Sequence, residues 1–225
     1  MIKVPEDILR EFPIQLGVDR DCEVPILLEF LHKIAPIESL LDIGAHTSCV
    51  PEKYGQEIRK LVRRYDGIDV LPPTETESIL NHYMVGNALD IYLPASGIPN
   101  YEVVICVSSI EHSGVSTYKV ADIQAEQTKL FKKCLELAEK YVWISFPVGQ
   151  EYVYPNELSI ITEKQLKEWE TLVSDFKVKE RFFYNQGPQA RHPWYEYSKR
   201  EVAVRIPYID YIGNQSIAVL EIDKT

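Results

Sequence analysis

His112 stands beside Glu111 in the run Ser108-Ser109-Ile110-Glu111-His112-Ser113-Gly114, immediately after the apolar stretch 101–107. Imidazole has an ordinary pKa near neutrality, so a histidine at the end of a strand is suited to take a proton, and a neighbouring carboxylate is suited to orient it. Glu111 has two other uses open to it, holding a substrate or capping the loop, and His112 also fits a loop histidine that only makes hydrogen bonds. A second constellation is Leu40-Leu41-Asp42-Ile43-Gly44-Ala45-His46-Thr47-Ser48, an apolar run that closes on an acid and a glycine turn. Gly44 permits a tight turn whose backbone N–H groups face a ligand, and Asp42 can accept from such groups. A plain strand-to-helix turn is the alternative, because many α/β folds contain one.

Positioning these groups requires alternating strands and helices. Residues 24–34 carry apolar side chains at helical spacing with Pro25 in the first turn, so they predict an amphipathic helix. Residues 39–43 predict the first strand, 52–63 the helix after it, and 65–70 the second strand, which stops at Pro72-Pro73. A short third strand is expected at 84–86. The continuous apolar run 101–107 has the character of a central parallel strand. Residues 121–140 form a strongly amphipathic helical pattern with Leu130, Phe131, Cys134, Leu135 and Ala138 on one face. Residues 141–146 predict a fifth strand closed by Pro147. Thr162-Glu163-Lys164-Gln165 matches a capping box that starts another helix, running to about 173, and 177–184 and 216–222 complete a count of seven strands. The expected fold is a doubly wound, mostly parallel seven-stranded α/β sheet with helices on both faces, the final pair forming an antiparallel edge.

Composition narrows the function classes. The chain has 225 residues, which suits one large α/β domain with a full core, and its formal net charge of −10 argues against a broad phosphate-binding surface. No apolar run reaches the roughly 20 residues of a membrane span. The charged start, Met1-Ile2-Lys3-Val4-Pro5-Glu6-Asp7, is unlike a signal peptide, and a cytoplasmic protein is expected. Cys22, Cys49, Cys106 and Cys134 are far apart, with no pair at zinc-ligand spacing, so buried reduced thiols are expected.

The order Leu41-Asp42-Ile43-Gly44, Gly67-Ile68-Asp69, Gly86-Asn87-Ala88 and Ser108-Ser109-Ile110-Glu111-His112, spread over about 24–149, resembles class I S-adenosylmethionine-dependent methyltransferases. The Ser-Ile-Glu-His-Ser-Gly segment especially resembles small-molecule enzymes of bacterial type, some of them linked to surface-sugar modification. The resemblance implies the Rossmann-like methyltransferase fold and S-adenosylmethionine as cofactor. It places Asp42, Gly44, Ala45 and His46 at the methionine end, Asp69 on the ribose hydroxyls, Asn87 and Ala88 on the adenine, and Ser108 beside them. Asp90 rivals Asn87 for the adenine. His112, helped by Glu111, becomes the catalytic candidate at the strand end that faces the transferred methyl group. Two departures stand out: the family usually has glycines where this chain has His46 and Ser48. A metal option known from quinone-pathway relatives needs a Glu where Ser108 stands, so no metal is expected.

The resemblance implies one domain over 1–225. It comprises an N-terminal helical segment at about 1–38, a core at about 39–184 with the last strand 216–222, and an insert at about 185–214. That insert contains Arg191, His192, Trp194, Tyr195, Tyr197 and Tyr208, and with Gln150-Glu151-Tyr152-Val153-Tyr154-Pro155 it suits an acceptor lid or an aromatic packing loop. The expected partner is a small-molecule methyl acceptor, a sugar among the candidates, bearing a reactive oxygen or nitrogen. Two readings from other classes stand beside this one. His46 and Ser48 favour a binding module that keeps the fold without turnover. Tyr195-Glu196-Tyr197-Ser198-Lys199 spells the Tyr-x-x-x-Lys pair of nicotinamide-dependent oxidoreductases, although the glycine-rich dinucleotide turn that they need is missing.

Overall fold

In the computed structural model the described residues are 2–3, 20–48, 50–73, 78–91, 100–114, 122–150, 153–154, 158–186, 195–197, 200–204 and 214–225. The strands are β1 (Ile2–Lys3), β2 (Ile37–Ile43), β3 (Val62–Asp69), β4 (His82–Val85), β5 (Tyr101–Val107), β6 (Ala138–Pro147), β7 (Val153–Tyr154), β8 (Leu158–Ser159), β9 (Lys177–Gln186), β10 (Tyr195–Tyr197) and β11 (Asn214–Asp223). The helices are α1 (Arg20–Ile34), α2 (Ala45–Ser48), α3 (Val50–Leu61), α4 (Ile123–Leu137), α5 (Glu163–Leu172) and α6 (Arg200–Ala203).

Nine strands form the main sheet in the order β1-β10-β9-β11-β6-β5-β2-β3-β4. From β6 through β5, β2 and β3 to β4 every pairing is parallel, while β11 lies antiparallel between β6 and β9. The seven expected strands are therefore all present, and β10 and β1 extend the β9 edge. The order reverses where β2 meets β5, and a doubly wound sheet opens its ligand crevice beyond the strand ends at such a reversal.

The two faces carry separate cores. On one face Ile26, Leu27 and Leu31 of α1 and Ile58 of α3 pack with Leu40, Tyr65, Val103, Ile105 and Trp143. On the other, Phe131 and Leu137 of α4 and Trp169 of α5 pack with Leu41, Ile43, Val104, Ile144 and Phe146. Strand β5 alternates between these sets and is buried on both sides apart from Glu102, which explains its unbroken apolar run. Phe131 stacks on Trp169 with ring centroids 4.4 Å apart. Cys22, Cys106 and Cys134 are buried free thiols; burial and the neighbouring Cys134 push the Cys106 thiol well above its usual value. Cys49 lies outside the described residues. No helix among the described residues is long and apolar enough to cross a membrane.

Several boundaries move. Helix α1 begins at Arg20 rather than 24, so Pro25 sits in its second turn, and the extra residues are held by an Arg20–Glu23 ion pair at 2.7 Å. The segment expected to be helical at about 1–38 opens instead with strand β1, paired to β10. The insert is shorter than 185–214: β9 continues to Gln186, β11 starts at Asn214, and Tyr195–Tyr197 joins the sheet edge. Tyr195 thus lies on a strand, and the Tyr-x-x-x-Lys spacing does not span one helical turn. Lys199, Arg191, His192, Trp194, Tyr208, Glu151, Tyr152 and Pro155 lie outside the described residues. Thr162 caps α5 as expected, accepting from the Gln165 N–H at 3.3 Å, but the Gln165 side chain turns to Gln127 instead of closing the box.

Candidate functional site

Each of the four parallel strands β4, β3, β2 and β5 runs toward the same rim, and the residues singled out in the sequence lie at those carboxyl ends. Gly44, directly after β2, has φ +79°, a left-handed conformation that a Cβ would strain, and its N–H donates to the Ile68 carbonyl at 2.8 Å. Ala45, the first residue of α2, is fully buried against β3. A Cβ added at Gly67 would come within 2.8 Å of the Ala45 Cβ, so glycine at 67 lets the turn seat this closely.

Asp69 ends β3 and ties the neighbouring turns together. Its Oδ2 accepts the His46 N–H at 3.1 Å and its Oδ1 accepts the Leu71 N–H at 3.0 Å, while its backbone carbonyl accepts the Gly86 N–H at 2.8 Å from the end of β4. A carboxylate oxygen accepts from more than one donor, so the same group retains the chemistry to receive a diol. Asp42 is fully buried and accepts the Tyr65 hydroxyl at 3.0 Å; burial, reinforced by Asp42, pushes the Tyr65 hydroxyl well above its usual value. Asn87 caps a 3-10 turn over Ala88–Asp90, its Oδ1 accepting the Leu89 N–H at 3.0 Å, with Ala88 buried and Asp90 exposed.

Ser48 changes the meaning of one departure from the glycine pattern. It is buried, donates to the Ala45 carbonyl at 3.2 Å and accepts the Val50 N–H at 3.2 Å, so its hydroxyl serves the joint between α2 and α3. His46 is half-buried and contributes its backbone N–H to Asp69.

Beyond β5 the chain turns at Ser108, which has φ +38°, and enters a 3-10 turn over Ile110–His112. The Ser108 N–H reaches both the carbonyl and the hydroxyl of Ser145 on β6, at 3.1 and 3.3 Å. Glu111 is buried, with its Oε1 3.9 Å from the His112 Nε2, while the His112 side chain is 42% exposed. This separation is too long for a hydrogen bond but close enough for the carboxylate to favour a protonated ring. The structure thus joins His46 directly to Asp69 and sets Ser108, Glu111 and His112 in one turn. It prints no bond between Asn87 and either group.

Sequence reasoning missed the partner of this turn. Glu23, fully buried on α1, accepts the Ser108 hydroxyl, and Arg20 bridges Glu23 to the Ser48 carbonyl at 2.9 Å and the Ser108 carbonyl at 3.4 Å. Helix α1 is therefore bolted across the ends of β2 and β5. A carboxylate inside the apolar stripe that starts at Cys22 was the available signal, because such a charge demands a partner. Gln127 was missed as well: its buried amide donates to the carbonyls of Glu111 and Ser159, at 3.3 and 3.2 Å.

Comparison with solved structures identifies this architecture. Among similar structures, an S-adenosylmethionine-dependent methyltransferase from Archaeoglobus fulgidus superposes with TM-score 0.51 at 13% identity, covering 91% of this chain and 95% of that chain. Another from Anabaena variabilis gives TM-score 0.51 at 12% identity, covering 96% and 90%. No family model and no curated protein sequence matches the chain. The fold is that of the class I S-adenosylmethionine-dependent methyltransferases, shared at identities where architecture alone carries over.

Proposed function

We propose that this protein is an S-adenosylmethionine-dependent methyltransferase that acts on an oxygen or nitrogen of a small metabolite, working as one domain over the whole chain. The observation that supports it most is the gathering of the Gly44 turn, Asp69 and the Glu111–His112 pair on one rim of that fold. The residues present fit the cofactor: Gly44 leaves room for close backbone approach, Ser48 is folded inward, and a carboxylate stands at the end of β3. When bound, S-adenosylmethionine supplies a sulfonium methyl group for in-line displacement.

The chain's own work is then alignment and removal of one proton. Asp42, Gly44, Ala45 and His46 border the methionine end, Asp69 accepts from the ribose hydroxyls, and Asn87 and Ala88 border the adenine. The His112 ring takes the acceptor's proton, and the charged ring keeps a proton on Nε2 facing Glu111 Oε1. The net charge of −10 supports a small acceptor over a nucleic acid. A second reading, a binding module without turnover, draws on Asn87, whose Oδ1 is engaged by its own turn. Release of S-adenosylhomocysteine, followed over a panel of hydroxyl- and amino-bearing metabolites, separates the two. Turnover with any acceptor supports the enzyme, and cofactor binding with no turnover across the panel supports the module.

A further inference from the structure

Next to this rim a cleft of about 390 Å3 opens at the carboxyl end of β6, lined by Gln124 of α4, Gly149 and Gln150 after β6, and Thr162, Glu163 and Lys164 at the start of α5. Its base is well fixed. The Gly149 N–H donates to the Ile161 carbonyl at 3.2 Å, the Ile161 N–H to the Pro147 carbonyl at 3.1 Å, and the Val148 N–H to the Ser216 carbonyl at 2.9 Å. The cleft wall is also tied to the Glu111 turn. The Gln165 amide donates to the Gln124 carbonyl at 3.4 Å and to Gln127 Oε1 at 3.0 Å, and Gln127 donates to the Glu111 carbonyl. From the other side Gly114, two residues past His112, packs on the first turn of α4: a Cβ there would lie 3.2 Å from the Glu126 Cβ.

The chemistry of the lining is unusual for a small-molecule site. Such pockets are mostly apolar and aromatic with a few placed polar groups, and 390 Å3 lies at the lower end of their range. Here the lining offers two amides, a hydroxyl, a carboxylate and an ammonium, and no aromatic ring. A flat aromatic acceptor finds no ring face to stack on. An anion finds one lysine next to a glutamate, without the bidentate arginine that recognises carboxylate or phosphate well. A molecule carrying several neutral hydroxyls, each both donor and acceptor, matches amide, hydroxyl and carboxylate groups together.

We infer that this polar cleft seats the methyl acceptor, and that the acceptor is a neutral polyhydroxylated molecule of the sugar class. The word acceptor rests on the methyltransferase reading; sugar binding at the cleft is measurable without turnover. The test titrates the full chain with neutral methyl glycosides of hexoses and 6-deoxyhexoses, with glucose 1-phosphate and with catechol, each followed by saturation-transfer NMR. S-adenosylhomocysteine is titrated separately by calorimetry, and everything is repeated on Gln150→Ala/Lys164→Ala, whose side chains are exposed and whose loss leaves the fold intact.

At least one neutral glycoside should bind and lose tenfold or more of its affinity in the double variant, while S-adenosylhomocysteine affinity stays within twofold. Absence of glycoside binding, binding unchanged in the double variant, or preference for the phosphate or the catechol would overturn the sugar site even if S-adenosylhomocysteine binds. Glycoside binding without any S-adenosylhomocysteine binding would keep the sugar site and overturn its role as acceptor site.

Discussion

Across the centre of the sheet the rim changes the way it is held. On the side of β2, β3 and β4 the bonds are mostly backbone groups meeting one another or one nearby carboxylate, as in Gly44 to Ile68, His46 and Leu71 to Asp69, and Gly86 to Asp69. On the side of β5 and β6 they are individual side chains from distant elements. Glu23 meets Ser108 from 85 residues away, Arg20 reaches the Ser108 carbonyl across 88, and Gln165 meets Gln127 across 38. A seat shaped by backbone tolerates changes in the side chains around it. A seat built from single buried polar groups fails when one is removed, because its partner is left desolvated.

This contrast sets the order of effects. Glu23→Ala should cost about 3 kcal/mol, the lower end for removing one member of a buried ion pair, because Arg20 keeps some solvent contact. Urea unfolding checks this, and a loss below about 1 kcal/mol would remove the bolt between α1 and β5. His112→Ala should slow methyl transfer by about 10²-fold with S-adenosylhomocysteine affinity nearly unchanged. Full activity in that variant would reject the proposed base. On the backbone-built side the one side chain that counts is Asp69. Asp69→Ala should weaken S-adenosylhomocysteine binding by more than about tenfold, or ~1.4 kcal/mol, in a calorimetric titration, and unchanged affinity would take Asp69 out of the site. Gly44→Ala should then lower stability by about 1 kcal/mol through its positive φ alone, read as a shift in the denaturation midpoint.

The smallest effect is alkaline. The Tyr65 and Tyr101 hydroxyls are both pushed above their usual value of 10.0, chiefly by burial, then by Asp42 at Tyr65 and by Asp66, 2.7 Å away, at Tyr101. An unfolded tyrosine ionises near 10.0 and these do not, so their contribution is fully present below pH 10.0 and is lost as pH rises above it. Melting temperature should fall above that pH, and Tyr65→Phe should flatten the fall. An equal fall in the variant would mean that the Asp42–Tyr65 pair carries no such linkage.

The same contrast explains what the sequence revealed. The strand order, the Gly44 turn and the place of Asp69 were legible because they depend on local patterns: apolar runs, a glycine and an acid at a strand end. The fold is the expected one, with strands lengthened at β3 and β9 and two short ones added at the edge. Glu23 and Gln127 were invisible, since their meaning comes from partners brought near only by folding. Ser48 read as an obstacle to a ligand because its spacing matched a family glycine, whereas its hydroxyl satisfies the helix joint. The long aromatic insert shrank because residues 195–197 pair with β9 rather than looping out.

The central claim is that the ends of β2, β3 and β4 together hold an adenosyl thioether. Calorimetric titration of the full chain with S-adenosylhomocysteine, run beside Asp69→Ala, tests it most directly. Saturable one-to-one binding that the substitution weakens more than about tenfold is the predicted result; no heat of binding to the intact chain would contradict it.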